Sequence, residues 1–322
     1  MQYALLGRTG VRVSRVSLGA AAFGVAPVEA DAIKLVDRAI DLGINFFDTA
    51  NSYGANSRFD RPGKPTAAER DPSEVIVGRA LKGRRHDVIL ATKASERVGD
   101  GVNDIGLSRV HLMKQLEESL RRLQTDYVDI YYAHHSDPNT PIEDTLATFD
   151  MMIRQGKVRY CALSNFSGWE TTEALWKSEV FRLQAPVVLQ SSYSFADRRV
   201  EAEVLPVARK YGVGFLAFSP VAGGILGGKS VLERQVAGRQ RWGGRAFSEE
   251  EVRNVLWWDE FANEAGVPAG QLALAWVLGR PGVTGVVIGP ERIESLESSC
   301  AALDLNLSPD LNTRLQEATL PA

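Results

Sequence analysis

The chain has 322 residues, 44% of them hydrophobic, and a formal net charge of -3. That is enough apolar material for one large barrel or two ordinary domains, and it excludes a global field that would draw nucleic acid or an anionic membrane. No apolar run reaches the ~18 residues of a membrane span, and MQYALLGRTG lacks the apolar centre of a secretion signal, so the expectation is a cytoplasmic protein.

Taken in chain order, the opening residues with the turn-prone GRTG read as a hairpin. RVSLG (15–19) follows as a first strand. EADAIKLVDRAIDLG has helical period, with Ile33, Val36 and Ile40 on one face and Gly43 to end it. INFFDTA (44–50) is a second strand. SRFDRPGKPTAAERDPS (57–73) is too long and polar for an ordinary strand-to-helix connection. DVILATKA (87–94) is a third strand. SRVHLMKQLEESLRRL is a helix with Val110, Met113, Leu116, Leu120 and Leu123 inward and Ser108 as its N-cap. YVDIYYAH (127–134), VRYCALSN (158–165), VVLQSS (187–192), GVGFLAFS (212–219) and TGVVIG (284–289) complete eight strands. Between them PIEDTLATFDMMIRQGK, ALWKSEV and EAEVLPVARKYG keep the helical rhythm, and QLALAWVLGR reads as an extra helix before the last strand. Cys161 and Cys300 are far apart and read as reduced, buried thiols.

Strict alternation of strand and helix implies a parallel sheet. Eight such units predict an α/β fold, a (β/α)8 TIM barrel filling residues 1–322 as a single domain. A doubly wound sheet is the alternative, but no G-x-G-x-x-G follows the first strand.

In such barrels chemistry collects at the C-terminal strand ends. Here the ends read Asp48 with Tyr53 in the next loop, then Lys93, His134 and His135, Ser164 and Asn165, Gln190, Ser219 and Gly289. Singly, each has a plain explanation: a solvated lysine, an Asp capping a helix, a packing tyrosine. Together they converge on one rim. Tyrosine's pKa of about 10 makes it a poor acid near neutrality. A lysine ammonium ~4 Å away gives about 4 kcal/mol toward phenolate at an effective dielectric near 20, enough to lower that pKa by ~3 units. Asp48 would keep Lys93 charged where water is partly excluded. A neutral histidine would orient a substrate oxygen. The set suits protonating an oxygen as negative charge builds on it. Carbonyl reduction needs that together with a hydride source.

At this point the chain, over its whole length, resembles the aldo-keto reductase family. The segments that carry the resemblance are LGRTGVRVSRVSLGAAAFG, INFFDTANSYG, ILATKA, VDIYYAHH, GKVRYCALSNFS, VVLQSSYS and FLAFSPVAGGILGGK, in that order. The resemblance implies a (β/α)8 barrel that binds a nicotinamide dinucleotide without the Rossmann motif. It implies Tyr53 as general acid, with Asp48, Lys93 and His134 as partners. For the cofactor it implies Gly19, Ala20, Ala21 and Asp48 near the first strands. Ser164, Asn165 and Gln190 would hold the carboxamide and Phe218 would stack on the ring. Ser219, Pro220, Val221, Gly224, Leu226, Gly228 and Lys229 would wrap the pyrophosphate. Gly289, Glu291, Ser295 and Ser299 would face the adenosine. NADP(H) is the family expectation. NAD(H) is not excluded, because Glu291 would repel a 2′-phosphate and accept from a ribose diol, although Arg292 can still reach a phosphate. The 57–73 connection would sit beside Tyr53 and shape the pocket for a small carbonyl or alcohol substrate.

Three rivals stand beside this. GGILGGKS (223–230) fits the phosphate-loop pattern of nucleotide triphosphatases, but it follows the seventh strand of eight. HHSD (134–137) raises a metal hydrolase. Adjacent residues of a strand point to opposite faces, so the expectation is no metal. The third is a cofactor-binding regulatory subunit with little turnover. Trp169, Trp242, Trp257 and Trp258 either line the pocket or pack. Substrate, reaction direction and oligomeric state are not legible.

Overall fold

The computed structural model describes residues 1–234 and 247–321. Trp242 lies outside them. Strands β1 (Tyr3–Leu5) and β2 (Arg12–Ser14) pair as an antiparallel hairpin. Then come β3 (Val16–Gly19), β4 (Phe46–Asp48), β5 (Ile89–Ala94), β6 (Val128–Ala133), β7 (Val158–Ser164), β8 (Val188–Ser192), β9 (Gly214–Phe218) and β10 (Gly285–Ile288). These eight are all parallel, and β10 pairs with both β9 and β3 to close the barrel. The helices are α1 (Glu29–Asp41), α2 (Ser73–Ala80), α3 (Arg109–Leu123), α4 (Ile142–Arg154), α5 (Gly168–Phe181), α6 (Val204–Tyr211), α7 (Ser230–Arg234), α8 (Glu249–Glu264), α9 (Ala269–Leu278), α10 (Ile293–Ala301) and α11 (Pro309–Glu317). Each of the eight strands read from the sequence is present, as are the hairpin and the helix before the last strand.

Two layers of core follow from the period-2 geometry of strands. Phe46, Ala91, Ile130, Tyr132, Ala162, Val188 and Leu216 fill the barrel interior. Their neighbours Phe47, Leu90, Tyr131, Cys161, Leu163, Leu189 and Phe215 face outward under the helices. Leu6 and Val13 of the hairpin join the interior layer. Asn45 ties the hairpin to the barrel, its Oδ1 accepting from Ser14 N at 2.7 Å and its Nδ2 donating to Arg12 O at 3.0 Å. The hairpin therefore stoppers the N-terminal end of the barrel, and the opposite end is the open one.

Helix ends follow local chemistry. Ser108 Oγ accepts from His111 N at 3.3 Å and starts α3. Gly43, at φ 85°, ends α1. Two side-chain assignments differ from the sequence reading. Val110 is 69% exposed. At about 100° of rotation per residue it lies on the far side of α3 from Leu112, Leu116 and Leu123, which are the buried ones. In α1 the buried stripe is Ala32, Leu35, Val36 and Ala39, with Ile33 and Ile40 on its flank. Trp258 packs in the core and Trp257 stacks on Phe195 and Phe261, whereas Trp169 is exposed. Cys161 is buried, Cys300 is half-buried, and the two are unbridged.

Helices α2 and α3 touch at Gly78, where an added Cβ would stand 2.7 Å from Arg122 O and 2.8 Å from Leu123 O. Backbone cannot yield as a flexible side chain does. Gly78→Ala should therefore destabilise the fold by about 1–3 kcal/mol, read from the shift in urea midpoint at unchanged slope.

Candidate functional site

Alternation that puts Phe46, Ala91, Tyr132, Ala162, Val188 and Leu216 inside puts Asp48, Lys93, His134, Ser164, Gln190 and Phe218 inside too, two residues further on. All six sit at the open end. Past β4 the chain stays tied to β5, Thr49 N bonding Ala91 O at 3.0 Å and Asn51 N bonding Lys93 O at 3.1 Å. It then turns, Tyr53 N donating to Ala50 O at 3.2 Å and Tyr53 O accepting from Ser73 N at 3.0 Å. This brings the phenol back over the strand ends.

Lys93 has no exposed surface and forms an ion pair with Asp48, itself buried. Its Nζ also donates to Thr49 O at 2.9 Å, and Gln190 Nε2 donates to the second Asp48 oxygen at 2.9 Å. The ammonium lies 5.1 Å from the centre of the Tyr53 ring. Tyr53 Oη and His134 Nε2 are 3.4 Å apart. Asn165 has left-handed backbone, φ 59°, and donates from Nδ2 to His134 O at 2.9 Å and to Ser164 Oγ at 3.1 Å. The three partners expected beside Tyr53, and the three amide-binding candidates, are thus one connected group.

Burial penalises the Lys93 ammonium, but Asp48 and the Tyr53 oxygen outweigh it, so its pKa stands above the ordinary lysine value. Burial pushes the Tyr53 phenol up; Lys93 pulls it down, and Asp48 and Glu96 push it up again. The net direction is upward, which reverses the sequence expectation. A lysine paired with a carboxylate leaves the phenol an opposing charge as well as an ammonium. Tyr53 therefore keeps its proton at neutral pH. Burial, with Lys93 nearby, holds His134 well below the usual histidine range, so its imidazole is neutral.

The sequence reading missed Glu96, three residues beyond Lys93. Its carboxylate accepts from Ser52 and from Arg58 of the 57–73 connection. It also lies 3.8 Å from His134 Nδ1 and 3.6 Å from His135 Nε2. His134 and His135 lie past the end of β6, so strand alternation does not separate them. Their rings stack at 4.9 Å and 22°. Glu96 and the two histidines thus offer three ligand atoms within 4.8 Å of one another. Glu96 is already committed to Arg58, however, and near-parallel rings do not aim both lone pairs at one point in their planes. That geometry does not favour an ion.

These residues open onto a cavity of ≈ 1120 Å³, just above the roughly 300–1,000 Å³ of small-molecule sites. Gly19, Ala21, Asp48, Tyr53, His134, Ser164, Asn165, Gln190, Phe218, Ser219, Pro220, Val221 and Gly224 line it, as do Gly289, Glu291, Ser295 and Ser299. Beyond β9 the backbone takes positive φ at Ser219, Ala222, Gly223 and Gly224 (52°, 49°, 66° and 110°), which curls it along the cavity wall at about 1–2 kcal/mol for each non-glycine residue. Of the expected cofactor residues, Ala20 and Leu226 are buried in the core instead. Gly228 and Lys229 are turned to α8, where Lys229 N donates to Asp259 Oδ1 at 2.9 Å. Ser219, Pro220 and Val221 stand between β9 and the glycines, and the loop follows the seventh of the eight barrel strands. A phosphate loop needs a strand leading directly into a helix, so that rival loses its context. Arg58 and Phe59 of the 57–73 connection line the cavity, as do Arg292 and Ser298 beside Glu291; Pro268 and Ala269 line it too and were not expected. Phe59 stands edge-on to Tyr53, centroids 6.1 Å apart. Pro268 and Ala269 come from the start of the extra helix, whose position no periodicity reveals.

Comparison with known proteins agrees with this geometry. The profile of the Aldo/keto reductase family matches residues 15–319. The chain belongs to the aldo/keto reductase family. It is 39% identical to the uncharacterized oxidoreductase YrpG of Bacillus subtilis, over 98% of this chain and 95% of that protein. It is 34% identical to a probable voltage-gated potassium channel subunit beta of Oryza sativa, over 98% and 96%. It is 31% identical to the L-glyceraldehyde 3-phosphate reductase of Escherichia coli, over 94% and 88%. As in the reading of the segments above, this aldo/keto reductase barrel carries no helix, among the described residues, long and apolar enough to cross a membrane.

Asp48→Asn should strand the Lys93 ammonium in a dry site and cost about 3–5 kcal/mol of stability near neutral pH. Replacing both partners, Asp48→Asn with Lys93→Met, should cost less than the single change. Chemical denaturation of the three proteins measures this.

Proposed function

We propose that this aldo/keto reductase is an NAD(P)H-dependent oxidoreductase that interconverts a small aldehyde or ketone and its alcohol, with the whole chain acting as one catalytic domain in the cytoplasm. The single observation that carries the reading is the placement of the Tyr53 phenol between Lys93 and His134 in the cavity, where burial pushes its pKa up. A bound nicotinamide would supply a hydride, with Ser164, Asn165 and Gln190 at its amide, Phe218 against its ring and the 219–224 turn beside its phosphates. Tyr53 Oη gives its proton to the oxygen that becomes the alcohol. Lys93 then stabilises the phenolate left behind, and Asp48 keeps that ammonium charged throughout. His134 stays neutral, hydrogen-bonds the same oxygen and fixes its orientation. Phe59 and Phe218, both on the cavity wall, limit water around the developing charge. A relative named as a reductase of an aldehyde phosphate supports this reading.

Tyr53→Phe should bind NADPH or NADH as the parent does and lose about 10²–10⁴-fold in kcat against a panel of aldehydes and ketones. Retention of most of the rate would remove Tyr53 from the role. The pH dependence follows from the directions above. Reduction needs Tyr53 protonated, and its raised pKa keeps it so through neutrality; His134, lowered, has already lost its proton. The reduction kcat/KM should therefore be flat from about pH 6 to about pH 9. A limb inside that window would contradict the assignment.

A regulatory reading has one specific support, the relatives named as potassium channel beta subunits. It predicts tight dinucleotide binding with no turnover across the same panel, so one screen separates the two.

A further inference from the structure

The 57–73 connection is organised from within by Arg70, whose side chain is 2% exposed. It donates to Asp60 Oδ1 and Pro65 O at 2.6 Å, and to Gly54 O and Asn56 O at 2.9 Å. Asn56 Oδ1 in turn accepts from Arg58 N at 3.2 Å. Further along, Arg61 Nη1 donates at 2.9 Å to Oε1 of Glu291, in the loop before α10. The backbone that carries Arg58 is thus held on both sides.

The Arg58 side chain reaches the reacting end of the cavity. Its Nη2 donates to Glu96 Oε2 and, at 3.3 Å, to the hydroxyl of Ser52, the residue before Tyr53. The same Glu96 oxygen lies 3.8 Å from His134 Nδ1. The guanidinium lies over the Phe59 ring, 4.8 Å from its centre. Among the described residues nothing accepts from its Nη1, and the side chain is 47% exposed on the cavity wall. Glu96 is the reverse case. It is 16% exposed, one of its oxygens is taken by Ser52 and Arg58, and the other faces His135 Nε2 at 3.6 Å. The acid is recessed and occupied, whereas the cation keeps an open donor group.

Bonds from a guanidinium to an oxyanion are charge-assisted and about twice as strong as those between neutral groups. A small molecule with its carbonyl oxygen at Tyr53 and His134 finds such a donor at the same end of the cavity. Lys93, the other cation there, is buried and already bonded to Asp48 and Thr49.

We propose that Arg58 binds substrate, and that the site takes small aldehydes or ketones carrying an oxyanion, a carboxylate or a phosphate, away from the carbonyl. Arg58 Nη1 donates to that oxyanion, and Glu96 is the positioning residue that holds Nη2. The proposal rests on the reading of Tyr53 as the proton donor to a carbonyl, and it names the class of carbonyl compound.

The test is initial-rate reduction, by the full chain with NADPH or NADH, of two matched pairs. One is 4-oxobutanoate against its methyl ester, the other glycolaldehyde phosphate against glycolaldehyde. The readout is the ratio of kcat/KM within each pair, which cancels any general change in rate. The parent should favour the charged member about tenfold or more in at least one pair, and that pair tells carboxylate from phosphate. Arg58→Met should bring the ratio down to about one or below. Removing Arg58 also takes a counter-charge from Glu96, so Arg58→Met/Glu96→Gln is measured beside it, and its ratio should stay low. Recovery of the preference in the double variant would mean that Arg58 only screens Glu96, and the proposal would fail. It would fail equally on a parent without preference in either pair, or on a preference that survives in Arg58→Met. A loss of dinucleotide affinity of about tenfold in Arg58→Met, by fluorescence titration, would assign the group to the cofactor's phosphates and overturn it too. A parent that reduces none of the four compounds would instead remove the reading of Tyr53 on which the proposal rests.

Discussion

A lysine with no exposed surface dictates how the open end of this barrel is built. An ammonium in that position is tolerable only beside a carboxylate whose remaining lone pairs are also satisfied. Asp48 comes from β4, Lys93 from β5 and Gln190, which holds the other carboxylate oxygen, from β8. Thr49, just past β4, takes a further ammonium proton. One ion pair therefore needs three strands in fixed register across a closed ring. A slip of one residue would turn Lys93 outward among the helices and leave Asp48 buried alone. The interior layer of Phe46, Ala91 and Tyr132 beneath it is the apolar half of the same requirement.

That pair also explains the character of the tyrosine above it. A lysine alone would acidify a neighbouring phenol. A lysine already balanced by a carboxylate, in a place where burial disfavours phenolate, leaves the phenol protonated until another negative charge needs it. The arrangement resembles a proton store more than an ionised base. Glu96 works at the mouth in a different way. It gathers Ser52, Arg58 and the two stacked histidines around a single carboxylate, and so fixes where the 57–73 connection begins.

Strands and strand-end residues were legible because their information is local. An apolar run with a polar residue two places beyond its last inward side chain can be read without coordinates, and Asp48, Lys93, His134 and Gln190 are of this kind. What was not legible depends on distance through space. Glu96 sits in a loop whose path sequence does not describe. The direction of the Tyr53 shift depends on burial, which no residue type announces. The Arg61–Glu291 bond joins two loops on opposite sides of the first barrel strand. Some misses were readable after all. Ser248 and Glu251 have the spacing of a capping box and do start α8, and Val110 is out of phase with Leu112 and Leu116 on any helical wheel.

The hairpin at the other end has a consequence for access. Leu6 and Val13 seal the floor of the barrel, and Asn45 pins them there. The barrel axis is therefore no passage, and a ligand of the cavity reaches it from the side of the C-terminal strand ends.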